Sequence, residues 1–233
     1  MTAIKTVMKA IEEDINTLVN HPFILDLEKG KVPMSGLKIF AEQYYLISCA
    51  FNKFLFNACG SIDSEEIREP LLENLYDEHG RGNLNNSHRE LLKKFLAAVD
   101  IKNIDSIKPL ASTQANIYGM NFLCKNSSVL EILGALGPGC EAFTTEQYTR
   151  IYKALKKFYN FSEDDLIFFT EHIHHDPRHT SDIEEVISKA IESDHDITYV
   201  IEGAKKAIIF ETLLWDGIHN QCKISKNSNK RYK

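Results

Sequence analysis

His172-Ile-His-His-Asp176-Pro-Arg-His179 is the stretch on which the reading of this chain turns. In a helix each residue advances by about 100°, so Asp176 lies roughly 40° from His172 and His179 roughly 20° from it on the other side. Two imidazoles and a carboxylate therefore share one narrow stripe. The flanks, Leu166-Ile-Phe-Phe169 and Ile183-Glu-Glu-Val-Ile187, have the apolar content of a buried helix. Polar groups that face a core must be satisfied, and a metal ion does so most simply. The stripe points to a metalloenzyme rather than to a plain helical domain. His175 offers a second register, His175 with His179, while His174 points away toward solvent.

Outward from this stretch the periodicity stays helical. Six prolines and eleven glycines punctuate 233 residues, and few segments alternate with period two. Helices are expected at Thr2–Asn20, Gly36–Cys59, Ser64–His79 (capped by Ser64), Ser87–Val99, Ser112–Lys125, Val129–Leu136 and Glu141–Phe158. Two more follow at Glu163–Asp194, bent at Pro177, and at Ile197–Gln221. The fold class is all-α. Residues 1–222 read as one helical domain, and the basic segment 223–233 as a disordered tail.

Composition narrows the function classes. A 43% apolar fraction with 10% aromatics is that of an ordinary globular chain, long enough to bury a large core. A net charge of −6 argues against nucleic acid as a partner. Acidic residues Glu12, Glu13 and Asp14 interrupt any signal-peptide core, and no apolar run approaches a membrane span. Cysteines 49, 59, 124, 140 and 222 form no CxxC pair and read as free thiols of a reducing, cytoplasmic compartment.

Three residues outside the stripe could complete a metal site. Glu78 ends Leu75-Tyr-Asp-Glu78, and His88 opens the next helix after Gly80-Arg-Gly-Asn. On one unbroken helix the two would diverge, so the glycine break is what would turn both inward; His79 is the rival of His88. Glu141 follows Gly137-Pro-Gly-Cys140, where an acid is first of all a partner for the helix dipole. Glu78, His88, Glu141, His172, Asp176 and His179 together supply three carboxylates and three imidazoles. Helix bundles that hold two iron or manganese ions use inward-facing sets of this kind. Imidazole gives a stable nitrogen ligand, and carboxylates bridge ions and absorb charge as the oxidation state changes. Arg178 is either a clamp for a substrate carboxylate or a surface ion-pair partner. His21, His195 and His219 read as capping or surface residues, and Tyr44 and Tyr45 as core, with one of them able to line a cavity. Cys140 reads as a small buried residue beside Glu141.

In these residues the chain resembles the haem-oxygenase-like di-iron oxidases, and among them the group of the Chlamydia protein associating with death domains and its bacterial relatives. The likeness runs through His21-Pro-Phe, Glu28-Lys-Gly, Ala41-Glu-Gln-Tyr-Tyr-Leu46, Leu71-Leu-Glu-Asn-Leu-Tyr-Asp-Glu78, Phe169-Thr-Glu-His172 and Asp176-Pro-Arg-His179. It implies a haem-oxygenase-like bundle of about seven to nine helices without haem. It implies two iron ions, or manganese and iron, held by the six residues above, with Glu78, Glu141 and Arg178 as the catalytic candidates. The partners implied are dioxygen and a small molecule, and the assembly a homodimer.

Three departures from the family pattern stand out. The segment from Glu78 to His88 is longer than the family's. Pro177 lacks the amide that would bond Ile173, which predicts a kink or local unwinding. Some chlamydial-type relatives use their own tyrosines as a source of p-aminobenzoate; the matching positions here are Ile24 and Phe40, which speaks against that self-consuming reaction. The reaction implied is N-oxygenation of an amine, oxidative carbon–carbon cleavage or a pterin/folate-related step. The alternatives are a metal-free enzyme of the same fold, thiaminase-like or quinone-cofactor synthase-like, and a death-domain-binding effector.

Overall fold

The computed structural model describes residues 2–228, and the side chains of all of these except Asp176 and residues 224–228. Among the described residues the chain is built from helices joined by short turns. They are α1 (Ala3–Val19), α2 (Pro22–Glu28), α3 (Met34–Ser61), α4 (Glu65–Glu78), α5 (His88–Ala98), α6 (Ala111–Asn126), α7 (Val129–Leu136), α8 (Ala142–Tyr159), α9 (Ile167–Ala190) and α10 (Asp194–Ser228). A π-helical turn, Gly137–Glu141, joins α7 to α8. No described helix is long and apolar enough to cross a membrane.

Local signals account for most boundaries. Ser64 Oγ accepts from the Ile67 amide and starts α4, while Ser128 and Glu131 form a reciprocal capping box at α7. Two elements escape the periodicity reading. The seven residues of α2 are too few to show a helical repeat; His21 starts the helix by accepting the Phe23 amide at Nδ1, and Pro22 follows at the first helical position. The π turn reads in sequence as a break, because Gly137-Pro-Gly-Cys140 carries helix-breaking residues.

Packing explains those glycines. A Cβ on Gly137 would strike the Ile183 side chain, and one on Gly139 would strike the Ala204 backbone. The turn is thus pressed between α9 and α10. The same close approach recurs where α7 crosses α10: a Cβ on Gly134 would meet the Val200 carbonyl, and one on Gly203 the Glu131 carbonyl. Phe23, Phe40, Phe95, Phe168, Phe169 and Trp215 are fully buried at the centre, and the Phe40 ring lies 5.5 Å from Phe23, 5.9 Å from Phe95 and 5.6 Å from Trp215. Ile24 and Phe40 are both apolar core residues with no exposure.

Three sequence expectations need correction. The unwinding expected at Pro177 does not occur; α9 is helical from Ile167 to Ala190. Its two ends are anchored by buried Phe168, Phe169, Ile183 and Ile187, and this packing outweighs the one missing amide. His219 is buried rather than superficial, its Nε2 3.4 Å from Asp26 and its ring 5.7 Å from His21. The basic segment read as a tail begins inside α10, which extends to Ser228; residues 229–233 lie outside the described residues.

Candidate metal centre

Three elements, α4, α5 and α9, deliver an acid and two imidazoles to one buried point, and a fourth, the π turn, brings Glu141 to the cavity beside it. Glu78 is the last residue of α4, and the chain then reverses through Gly80, Arg81 and Gly82, all with positive φ. A Cβ on Gly80 would collide with the backbone of Asn83, Asn86 and Ser87, so only glycine closes this turn. The reversal returns His88, the first residue of α5, to Glu78: the imidazole Nδ1 lies 2.7 Å from Oε1. His79 is excluded, because its ring turns back to the Leu75 carbonyl and lies against Phe56.

α9 brings the other side. His172 Nδ1 lies 2.7 Å from the Phe168 carbonyl one turn earlier. A carbonyl only accepts, so Nδ1 carries a proton, and Nε2 lies 3.7 Å from Glu78 Oε1. The His88 and His172 rings lie 4.2 Å apart. Glu78, His88 and His172 each offer a ligand atom, all within 4.8 Å of one another. Among the described residues they form the one such buried group of acids and histidines.

Glu141 enters from the π turn, buried at the N-cap position of α8. Asn74 Nδ2, one turn before Glu78 on α4, donates to Glu141 Oε1 at 2.8 Å. His179 is buried two turns after His172, and its Nε2 lies 2.8 Å from Asp77 Oδ2. Arg81 holds the same Asp77. Asp176 lies on the helical backbone between the two histidines, but its side chain is outside the description.

The charges of this cluster are set by burial and by each other. Burial is the largest single influence on Glu78 and opposes its ionisation, yet His88 and His172 together outweigh it and hold its carboxyl far below the usual range. Burial lowers the pKa of His88, but Glu78 more than offsets this and the net direction is up. Glu141 shifts the opposite way to Glu78: burial raises it, against the pull of His179, Asn74 and His172. Burying acids and imidazoles in an apolar bundle is costly unless something compensates them.

The residues fit iron. The donor set is mixed carboxylate and imidazole, His172 turns Nε2 toward Glu78, and Asn74 and Asp77 hold Glu141 and His179 in the way that amides and carboxylates orient metal ligands. The other sequence candidates fall elsewhere. His174 and His175 are exposed, His175 paired with Glu171. Arg178 is exposed and pairs with Asp182 at 3.3 Å and Glu73 at 3.4 Å, so it clamps nothing in the site. Its place in the sequence, beside His179, is about 100° off the inward stripe.

Beside the cluster a cavity of about 70 Å³ is lined by Tyr44, Phe51, Phe143, Gln147, Tyr148, Phe168, Glu78, Glu141 and His172, with Glu211 from α10. Tyr44 therefore lines the cavity rather than only packing the core; its hydroxyl donates to that of Tyr148 at 3.0 Å. The Tyr148 ring stands 5.1 Å from His172. Cys140, half-buried, lines the same space. Asn74, Asp77, Tyr148 and Glu211 were not foreseen from sequence. For Asn74 a signal existed, its position four residues before Glu78 on the same helical face.

Comparison with known proteins agrees with this geometry. Residues 38–212 match the model of a family described as iron-containing redox enzymes. The chain belongs to that family. As a member of the iron-containing redox enzymes, it is an iron-binding oxidoreductase. It is 28% identical over 192 residues to a 4-aminobenzoate synthase of Chlamydia muridarum, covering 81% of this chain and 79% of that one. To the 4-aminobenzoate synthase of Nitrosomonas europaea it is 27% identical over 219 residues, covering 88% and 87%. Among solved structures, a CADD-like protein of unknown function from Nostoc punctiforme superposes with a TM-score of 0.80 at 16% identity, covering 94% of this chain and 96% of that one. Haem oxygenase-1 of the cyanobacterium Synechocystis, in complex with haem, superposes with a TM-score of 0.73 at 10% identity, covering 100% and 99%. The fold is thus haem-oxygenase-like.

Proposed function

We propose that this protein is a non-haem di-iron oxidase that uses dioxygen to oxidise a small metabolite in the cavity beside Glu78 and His172. The observation that carries the reading is the buried Glu78–His88–His172 group opening onto an aromatic cavity. Glu141, Asp176 and His179 are the proposed ligands of the second ion, making three carboxylates and three imidazoles in all. Bound iron would supply the electrons that reduce dioxygen.

The chain's own residues do the rest. Phe168 fixes His172 through its carbonyl, and Asn74 and Asp77 hold Glu141 and His179 in place. Phe51, Phe143 and Phe168 keep water away from the reacting face. The Tyr44 hydroxyl donates to the Tyr148 hydroxyl, whose ring stands 5.1 Å from that of His172.

The 4-aminobenzoate synthases among its relatives support an oxidative reaction on a small molecule. With Ile24 and Phe40 sealed in the core, the substrate is proposed to come from outside the chain. The test is anaerobic loading with ferrous iron followed by rapid mixing with oxygen. Oxygen uptake with a transient visible absorption supports the reading; iron-loaded protein that consumes no oxygen contradicts it.

A further inference from the structure

Glu211 is a half-buried acid that the iron site does not use. It sits mid-way along α10 and lines two adjoining cavities. One opens onto Glu78 and His172. The other is walled by Ile47, Phe51, Phe54, Met120 and Phe143, with Asn116 as its polar member beside Glu211. Asn116 Nδ2 donates to Glu211 Oε2 at 3.5 Å, and the Asn116 Oδ1 acceptor is buried with no partner. Glu211 thus lines both cavities, with the Asn116 amide beside it in the second.

The rest of the lining fixes the sign of the ligand. Apart from Glu78 and Glu141, the polar groups of the two cavities are Tyr44, Ser48, Cys140, Thr144, Gln147, Tyr148 and His172, and the lining holds neither lysine nor arginine. The one cation that sequence offered for a carboxylate, Arg178, is engaged at the surface. In the metal-free protein a carboxylate substrate would thus meet like charge with no lysine or arginine to offset it, whereas an ammonium at the second cavity would meet the Glu211 carboxylate beside the unpartnered Asn116 carbonyl. Burial pushes the Glu211 carboxyl up to about 7, against the pull of the Trp215 indole and the Asn116 amide, so this acid gains from a cationic neighbour.

We propose that Glu211 and Asn116 form the anchoring subsite of the cavity and hold the amino group of a small, otherwise apolar amine, turning the rest of it toward Glu78 and His172. This rests on the oxidase reading for what happens to the amine, but its binding does not.

The test is calorimetric titration of metal-free protein and anaerobic ferrous protein with benzylamine, benzyl alcohol and benzoate at neutral pH. These probes share a ring and differ in charge. Benzylamine is expected to bind roughly tenfold or more tighter than benzoate. Glu211→Gln should weaken benzylamine by roughly tenfold, leave benzyl alcohol within about threefold and keep the iron content of the wild type. Asn116→Ala should weaken benzylamine by a smaller factor. Benzoate binding as tightly as benzylamine, no benzylamine binding at millimolar concentration, or an unchanged benzylamine affinity in Glu211→Gln would each overturn the proposal. The preference order of the wild type needs no variant to fold. If iron fails to load, the oxidase reading falls while the titration of metal-free protein still decides this one.

Discussion

Glu211→Gln should make the protein more stable at pH 8 and change it little at pH 4.5. The cause is the work of ionising an acid inside the bundle. Its carboxyl moves from an ordinary 4.5 to about 7 on folding, chiefly through burial. A shift of that size corresponds to about 3 kcal/mol, at 1.36 kcal/mol for each tenfold change in acidity. The sign follows from proton counting. Between pH 4.5 and 7 the unfolded chain has released this proton and the folded chain has kept it, so stability falls as pH rises through that window and levels off above it. Glutamine keeps the shape, accepts from the same neighbours and carries no proton to lose. The stability gap between variant and wild type should open from near zero at pH 4.5 to about 2–3 kcal/mol at pH 8, some of the full value being lost to hydration within the cavity. For a chain of this length that is roughly 4–12 °C in melting temperature. Thermal or urea unfolding of both metal-free proteins across this range measures it. A gap that is the same at both pH values, or absent at pH 8, refutes the reasoning about Glu211.

Other consequences follow from other parts of the structure. His172→Ala removes the imidazole whose Nε2 faces Glu78; it should abolish stoichiometric iron binding while the circular dichroism stays helical, as read by metal analysis of the purified variant. Arg178→Ala should leave iron content and oxygen uptake unchanged and alter stability by less than about 1 kcal/mol, because both its ion pairs are exposed. Gly134→Ala and Gly203→Ala should each cost about 2–3 kcal/mol in urea unfolding, since the new methyl meets backbone across the α7–α10 crossing. Asn74→Ala frees the Glu141 carboxylate from its one described donor and should weaken iron affinity roughly tenfold or more without unfolding the chain, measurable by competition with a chelator.

The parts of this account that were legible in the sequence are those whose signal lies within one helix. The His172/His179 stripe shows itself because both residues fall on the inward face of α9 between apolar flanks, and the structure buries both while leaving His174 and His175 exposed. The pairing of Glu78 with His88 was legible only through the glycine break, which gave the reason a longer segment could still close. What depends on contact between helices was not legible. Asp77 and Glu78 are neighbours in sequence, yet one meets His179 and the other His88 and His172, a division set by how α4 lies against α5 and α9. Tyr148 and Glu211 are ordinary members of their helices until the rotation of α8 and α10 turns them into the cavity. Two alternatives were open in sequence and closed by tertiary packing: Arg178 takes its surface ion pairs rather than a place in the site, and the helix does not unwind at Pro177.

Burying Glu78, Glu141, His88, His172 and His179 in one bundle is costly, and bound metal would compensate it. The most direct measurement is iron stoichiometry after anaerobic ferrous loading, made on the wild type and on Glu78→Ala side by side. The account predicts two irons per wild-type chain, lost on removing Glu78, and oxygen uptake that follows the iron. A wild type that takes up no iron, or a Glu78→Ala variant that loads fully, would contradict it.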